Sequence, residues 1–457
     1  MSAVAGAQTL SLEQVLQTSR IFSPVILAAV EQRSATEQAT AEALGAFDLK
    51  ITGDGYSRAS GFYDGVVVGG KVEQPLRAFG ANVYGQYRLS SGDFPIYEDQ
   101  SFTNLGGQAK AGVMLSLLRD RLIDERRFAE TDAVLAIDAA QFDVLLAQIN
   151  VQQMAAMSYW RWVAAGLQLE VYRDLLDIAE QRTEGLEREV SSGARASIFL
   201  TENQQTITQR RELLTAAERD FKLAANRLSI FWRNSAGLPT MPPAERVPDT
   251  LNREGVQPKR TLARLAAMKA ARPDLGKLQN RISRAAVRLK LDENRLKPRL
   301  DLRFEVSEGL GGVGEGGVSR DSTDTVVGFY FSVPFQRRAA RARLAASRSK
   351  LKALEYELQR LDENIDRELQ ALVLSLRYAE RLATLAGVDV QQSDDLWEAE
   401  KVRFRNGASD FFLVNVRETA LANARIRQIR AMLDQRLAET NFDAATMNLG
   451  ALSLSEP

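Results

Sequence analysis

The sequence predicts a mainly α-helical protein carrying a small set of β-strands, arranged as two structural repeats. Three observations carry that expectation. Apolar and charged residues alternate strictly just before residue 336, a long leucine seam follows, and the segment from Phe47 to Trp232 shows the same plan.

The strands come first. Leu300, Leu302, Phe304 and Val306 fall on one face of a strand, and Arg299, Asp301, Arg303, Glu305 and Ser307 on the other, because side chains in a strand have a period of two. After a glycine-rich loop, Val327, Phe329, Phe331, Val333 and Phe335 form a second apolar row. Strands of roughly ten residues are what a tilted membrane crossing needs. An antiparallel hairpin over a soluble core shows the same alternation, so these strands alone leave both readings open. The loop between them, Gly309 to Gly314, matches the dinucleotide fingerprint G-x-G-x-x-G. That chemistry needs a helix N-terminus directly after the glycines, and here a strand follows instead, so the loop is read as a hairpin connection.

The period changes after Gln336. Leu344, Leu351, Leu354, Leu358, Leu361, Ile365, Leu369, Leu372 and Leu376 recur at three and four residues, the seam of a long packed helix. The break at Arg405–Asp410 offers Gly407 as a C-cap and Asp410 as the next N-cap, and a second helix returns to Gly450. Helices of about seventy residues would be on the order of 100 Å long.

In the first half, Ser11-Leu12-Glu13-Gln14 opens a helix as a capping box, with a pause at Ser23-Pro24 and an end at Ala46. A strand is expected from Phe47, followed by apolar runs at Val66–Val72, Ala81–Leu89 and Gly106–Leu118. This half therefore has room for four strands where the second has two. A long helix is expected from Leu118 to Val190, with Leu145, Ile149, Ala156, Trp160, Val163, Leu167 and Ile178 on one stripe, and Trp160 and Trp162 as packing residues. Ser191–Ser197 matches the later glycine break, with Ser197 in the N-cap role of Asp410. The return helix carries Ile207, Leu214, Ala217, Phe221, Ala224, Leu228 and Phe231.

The expected organisation is a leading helix over 1–46, strands over 47–118 and a helical hairpin over 119–233. A proline-rich connector over 234–259 precedes the second leading helix (260–297), strand hairpin (298–335), helical hairpin (336–450) and tail (451–457).

Composition narrows the function. The 457 residues hold 59 Lys+Arg, 59 Asp+Glu, no His and no Cys. Balanced charge gives no overall basic footprint for nucleic acid. Without Cys and His, the usual soft metal ligands, disulfides and the commonest general base are missing, and no cofactor site or nucleophile–base set stands out. Carboxylate pairs such as Asp394-Asp395 read as a solvated helix face. No apolar run reaches the ~18 residues of a spanning helix, so any crossing is expected to be by strands. The first residues, Met1 to Gln8, end in small residues suited to cleavage but lack a signal-peptide core, which leaves export or a cytoplasmic location open.

At this point the chain resembles the TolC-like outer-membrane efflux protein family, over nearly its whole length. The resemblance rests on Ser332-Val333-Pro334-Phe335 followed by Arg337 and Arg338, on Phe404 to Leu413 around the glycine break, and on Thr446-Met447-Asn448-Leu449-Gly450. Weaker counterparts are Ser116-Leu117-Leu118 and Ser192-Gly193. The resemblance implies a homotrimer whose strands complete one β-barrel in the Gram-negative outer membrane, surrounded by its lipid. The antiparallel coiled-coil helices would form an α-helical barrel in the periplasm. It further implies a passive exit duct for efflux or type I secretion, docked to a periplasmic adaptor and an inner-membrane pump of RND or ABC type.

On that reading, Asp301, Arg303 and Glu305 face the lumen. The adaptor meets the helix tips at Ser191, Ser192, Gly193, Arg195, Ser197, Asn406, Gly407, Ser409, Asp410 and Phe411. Two departures from the family pattern stand out. The stretch Leu413 to Glu418 lacks the family's aspartate pair, leaving Asn415, Arg417 and Glu418 as candidates for a different aperture constriction. The family's usual two strands per repeat become four in the first, so six strands per protomer and a wider barrel are expected, with a periplasmic turn near Pro75–Gly80. The alternative reading is a soluble coiled-coil scaffold or periplasmic adaptor-type protein, whose helical hairpins share the same heptads.

Overall fold

The structure, a computed structural model, describes residues 9–95, 97, 101–251, 265–315 and 322–454. The expectations for residues 1–8, for the connector beyond 251 and for the first residues of the second leading helix lie outside that set. The chain divides into two compact units, one of Gln32–Gln141 and Gly276–Gln359, the other of Met1–Glu31, Phe142–Leu275 and Arg360–Pro457.

The first unit is organised by a six-stranded antiparallel sheet in sequence order: β1 (Lys50–Ser57), β2 (Val66–Pro75), β3 (Asn82–Ser91), β4 (Gln108–Ser116), β5 (Arg299–Gly309) and β6 (Asp324–Ser332). Its register sorts the side chains. One row runs Ile51, Val72, Gly85, Ala111, Val306, and neighbouring rows add Val83, Val113, Phe304, Val327 and Leu115, Leu302, Phe329. The opposite face carries Lys50, Glu73, Tyr84, Gly112 and Glu305 in one such row. In the first three strands Gly53 faces Gly70 and Val72 faces Gly85, so part of this seam is nearly all backbone. The turn between β2 and β3 uses Phe79 (φ 55°) and Gly80 (φ 58°), and adding a Cβ to Gly80 would bring it 2.4 Å from the Asp120 carbonyl.

Several boundaries differ from the sequence expectation. β1 begins at Lys50, because Phe47 is buried in a short 3-10 turn with the Arg77 guanidinium 5.0 Å from its ring centre. β6 ends at Ser332, so Val333 and Phe335 lie past the strand. The long helix α3 (Glu125–Ser191) begins later than Leu118, because Asp120 (φ 68°) turns the chain and Asp124 accepts from the Arg127 N–H at 2.9 Å. The second leading helix is two helices, α5 (Leu265–Ala270) and α6 (Pro273–Asn294). Proline is well placed at the first helical position and disfavours helical geometry in the residue before it, so Arg272 breaks the run.

The remaining helices are α1 (Leu12–Phe22), α2 (Pro24–Leu44), α4 (Ile198–Ser229), α7 (Arg338–Arg405) and α8 (Phe411–Ala445). The capping box of α1 is present, with the Gln14 N–H donating to Ser11 Oγ at 3.3 Å. On α7 the seam is buried at Leu344, Leu354, Ile365, Leu369 and Leu376. In the helical unit the main core gathers Trp160, Trp162, Val163, Phe221 and Leu228, with Trp162 stacked on Phe221 at 6.3 Å. Both tryptophans are packing residues there. Gln152 bridges helices by accepting from Ser19 Oγ at 3.1 Å and donating to the Leu16 carbonyl at 3.0 Å. Among the described residues, α3 is long and apolar enough by composition to cross a membrane, although Asp138, Gln141 and Asp143 interrupt its most apolar stretch and no unbroken apolar run of that length occurs.

Candidate functional site

Two regions carry the candidate site residues, one in each unit. In the sheet, Asp301 and Glu305 lie on the polar face and are buried, at 2% and 7% exposure, while Arg303 on the same face is exposed. Glu305 accepts from the Tyr84 hydroxyl at 2.6 Å and pairs with Lys110 at 3.0 Å. Asp301 accepts from Ser116 Oγ at 3.0 Å and pairs with Arg299 at 2.5 Å. Lys71 pairs with Glu73 and its ammonium sits 5.1 Å from the Tyr84 ring centre. Glu305 on β5 is thus neutralised by Lys110 from β4, while Asp301 and Glu73 pair with Arg299 and Lys71 of their own strands, so charge sits on this face without isolated burial. Gly112 makes it possible. It lies between Tyr84 and Glu305 in the row, and a Cβ there would meet the Tyr84 hydroxyl at 2.6 Å. Sequence reading missed Tyr84, Lys110 and Gly112; the signal was present as polar residues of equal parity on each strand.

In the helical unit the two glycine turns have the same construction. Ala194 N–H donates to the Glu189 carbonyl at 2.9 Å and Gly193 N–H to Val190 at 3.0 Å. Ala408 N–H donates to Arg403 at 2.9 Å and Gly407 N–H to Phe404 at 3.0 Å. Those are the two bonds of a Schellman end, with Gly193 (φ 75°) and Gly407 (φ 74°) in the left-handed position that glycine fills without strain. Asp410 caps α8 by accepting from the Leu413 N–H at 2.8 Å. Ser197 does not play that part, which corrects the expectation: its φ of −59° and ψ of −22° are already helical, and its side chain makes no capping bond. The Ser191 and Ser192 hydroxyls donate to the Arg188 and Glu189 carbonyls, Asn406 is exposed and the Ser409 hydroxyl is buried without a partner. Arg195 pairs with Glu189 at 2.6 Å and lies over the rings of Phe199 (5.2 Å) and Phe404 (5.8 Å). Phe199 meets Phe411 edge-on at 6.4 Å, so the two turns are packed against each other.

Behind the tips lies a buried ionic network. Glu418, 3% exposed, pairs with Arg210 at 2.7 Å and Arg182 at 2.5 Å. Asn415 accepts from Arg182 at 2.7 Å, and Arg182 also stacks over Phe411 at 5.1 Å. Burial pulls the Arg210 guanidinium below its ordinary pKa, although Glu418 acts against it. Of the three constriction candidates, the structure brings Asn415 and Glu418 together and leaves half-buried Arg417 apart, its Nε buried without a partner. Arg210 could have been found from sequence, since it occupies a seam position between Ile207 and Leu214. The Asp394 and Asp395 carboxylates are helix-surface groups, Asp394 facing Arg425 at 3.6 Å and Asp395 accepting from Gln391 at 3.0 Å.

A sheet with one apolar face and one internally neutralised polar face is joined in sequence to paired long helices. The chain has the fold of the TolC-like outer-membrane channels. It is similar to a membrane protein from Pseudomonas aeruginosa, with 14% identity, 97% of each chain covered and a TM-score of 0.66. It is also similar to the outer membrane protein VceC of Vibrio cholerae (13% identity, 95% of each chain, TM-score 0.66). The open state of the Neisseria gonorrhoeae MtrE outer membrane channel matches at 13% identity over 95% of this chain and 88% of that one, with a TM-score of 0.69. No family profile matches the sequence. No curated protein matches it either.

Proposed function

We propose that this chain is one protomer of a trimeric outer-membrane exit duct, passing cargo driven by an inner-membrane pump and handed on by a periplasmic adaptor. The single observation that carries this is the two-faced sheet. Val327, Phe329 and Phe331 are 67%, 79% and 56% exposed, and such a row is stable against lipid and costly against water. A soluble scaffold has no use for it. β1 and β6 are each paired on one side only. Closing β6 of one copy on β1 of the next satisfies both edges, and three copies of six strands make eighteen. Barrels of about 16–18 strands leave an aqueous channel. Asp301, Arg303 and Glu305 then line that lumen, and the tip residues Ser191–Ser197 and Asn406–Phe411 form the adaptor surface.

Electron microscopy of the detergent-purified protein tests the reading, together with conductance in planar bilayers. Threefold particles with six strands per protomer and an open ohmic pore are expected. Particles lacking threefold symmetry, or a protein monodisperse without detergent, would sink it, and four strands per protomer would sink the wide barrel alone.

A further inference from the structure

The end of the sheet from which the helices continue is apolar and strongly basic together. Backbone bonds hold the strand ends in one rim: Ser116 N–H donates to the Phe79 carbonyl at 3.3 Å, and Arg119 N–H to Pro298 at 3.2 Å. Arg337 Nη1 donates to the Leu296 carbonyl at 3.1 Å. Apolar residues continue past the strands into solvent, with Leu122 76% and Phe335 98% exposed. Arg121 stacks on Phe79 at 5.8 Å. Directly after Phe335 come Arg338, Arg341 and Arg343, all exposed and none holding an ion pair among the described residues, while the first carboxylate on α7 is Glu355. The opposite end of the sheet carries Asp64, Asp93, Glu308 and Glu315. The unpaired cations thus gather where α7 begins, while Asp120, Asp124 and Glu125 at that end are paired with Arg119, Arg127 and Arg295.

We propose that Arg121, Arg338, Arg341 and Arg343, with Leu122 and Phe335, form a collar that binds anionic phospholipid headgroups in the leaflet on the helix side. The proposal rests on the channel reading above. Once the apolar row occupies the hydrocarbon, the residues just past it fall at headgroup depth, where aromatic rings and snorkelling arginines are favoured. A guanidinium grips a phosphate through paired N–H donors, and the acids nearest Leu122 are already engaged, Asp120 with Arg119, Asp124 with Arg127 and Glu125 with Arg295. The acidic loops keep the same lipids from the other end, so the collar also favours one orientation.

The test uses the full-length trimer in detergent, titrated with phosphatidylglycerol or with phosphatidylethanolamine of identical chains, and native mass spectrometry counts retained lipid. Preference for phosphatidylglycerol is expected, weakening as salt is raised. Each arginine contributes on the order of fivefold, so R338Q/R341Q/R343Q should lose roughly 100-fold of the preference. R338K/R341K/R343K keeps the charge and should keep most of it. Equal retention of both lipids by the wild type, or a glutamine variant that retains the preference, would overturn the collar. A wild type that neither inserts into liposomes nor conducts overturns the channel reading; a conducting wild type without lipid preference overturns the collar only.

Discussion

Glu418→Gln is the most informative single substitution. The carboxylate is held by two guanidiniums, but they differ in what happens when it is neutralised. The Arg182 side chain is 19% exposed and keeps Asn415 and the Phe411 ring, so water can replace what it loses. Arg210 is 4% exposed, and apart from the distant Asn415 oxygen at 3.5 Å it keeps only the Leu175 carbonyl. Removing one partner of a buried pair costs about 3–5 kcal/mol, and a glutamine that retains one acceptor places this case near the lower end, ~3 kcal/mol. Released locally, that corresponds to on the order of 100-fold faster amide hydrogen exchange in the first turns of α8. Arg210→Met combined with Glu418→Leu removes both charges from a packed site, and should recover most of the lost protection. Hydrogen exchange with mass readout on all three proteins decides. An E418Q protein exchanging within about threefold of wild type, or a double variant no better than the single one, refutes the buried-pair account. If the tips also open in the channel, E418Q raises bilayer conductance.

Three further outcomes are expected. Gly407→Ala meets no neighbouring atom within 4 Å, so its cost is backbone strain alone at φ 74°, about 1–2 kcal/mol, read as faster exchange confined to the end of α7. Phe329→Arg places a cation in the apolar row at a cost of about 2–4 kcal/mol if that row meets lipid, measured as lost insertion into liposomes; unchanged insertion speaks against the row facing lipid. Burial pushes Asp292 up, but the Ser347 hydrogen bond and then Arg288 and Arg295 outweigh it and hold the carboxyl below its ordinary 3.8. A depressed carboxyl stabilises above its unfolded pKa and loses that contribution as pH falls through its folded one. Asp292→Asn should therefore lower thermal stability at neutral pH, with the difference from wild type shrinking below about pH 3.8, checked by melting at both pH values.

Much of this was legible because period and chemistry agreed. The α7 seam is written in leucines whose neighbours are charged, and Leu300–Val306 alternates with no exception, so tertiary packing had nothing to override. Gly407 and Asp410 state a turn by their residue types. Ser197 misled for a physical reason: serine caps a helix only from extended backbone geometry, and here its backbone had already turned helical. Pro273 announced its break, yet the apolar spacing around it is strong enough to read through. The Glu418 network could not be assembled from sequence, since Arg182, Arg210 and Glu418 stand on three helices and only the folded chain says which charges meet. The same holds for Gly112, whose value lies entirely in what Tyr84 does across it.

The glycine seam of the first three strands bears on how such a wall is put together. Where Gly53 faces Gly70 and Val72 faces Gly85, neighbouring strands grip through main-chain bonds with few side chains to index one against the next. By contrast, β4, β5 and β6 are indexed against one another by Leu115, Leu302 and Phe329 and by Val113, Phe304 and Val327. In the proposed ring, the edge that β1 offers to a neighbour would thus belong to the part of the sheet least indexed by side chains. In such a ring, joining would rest on main-chain bonds more than on side-chain fit.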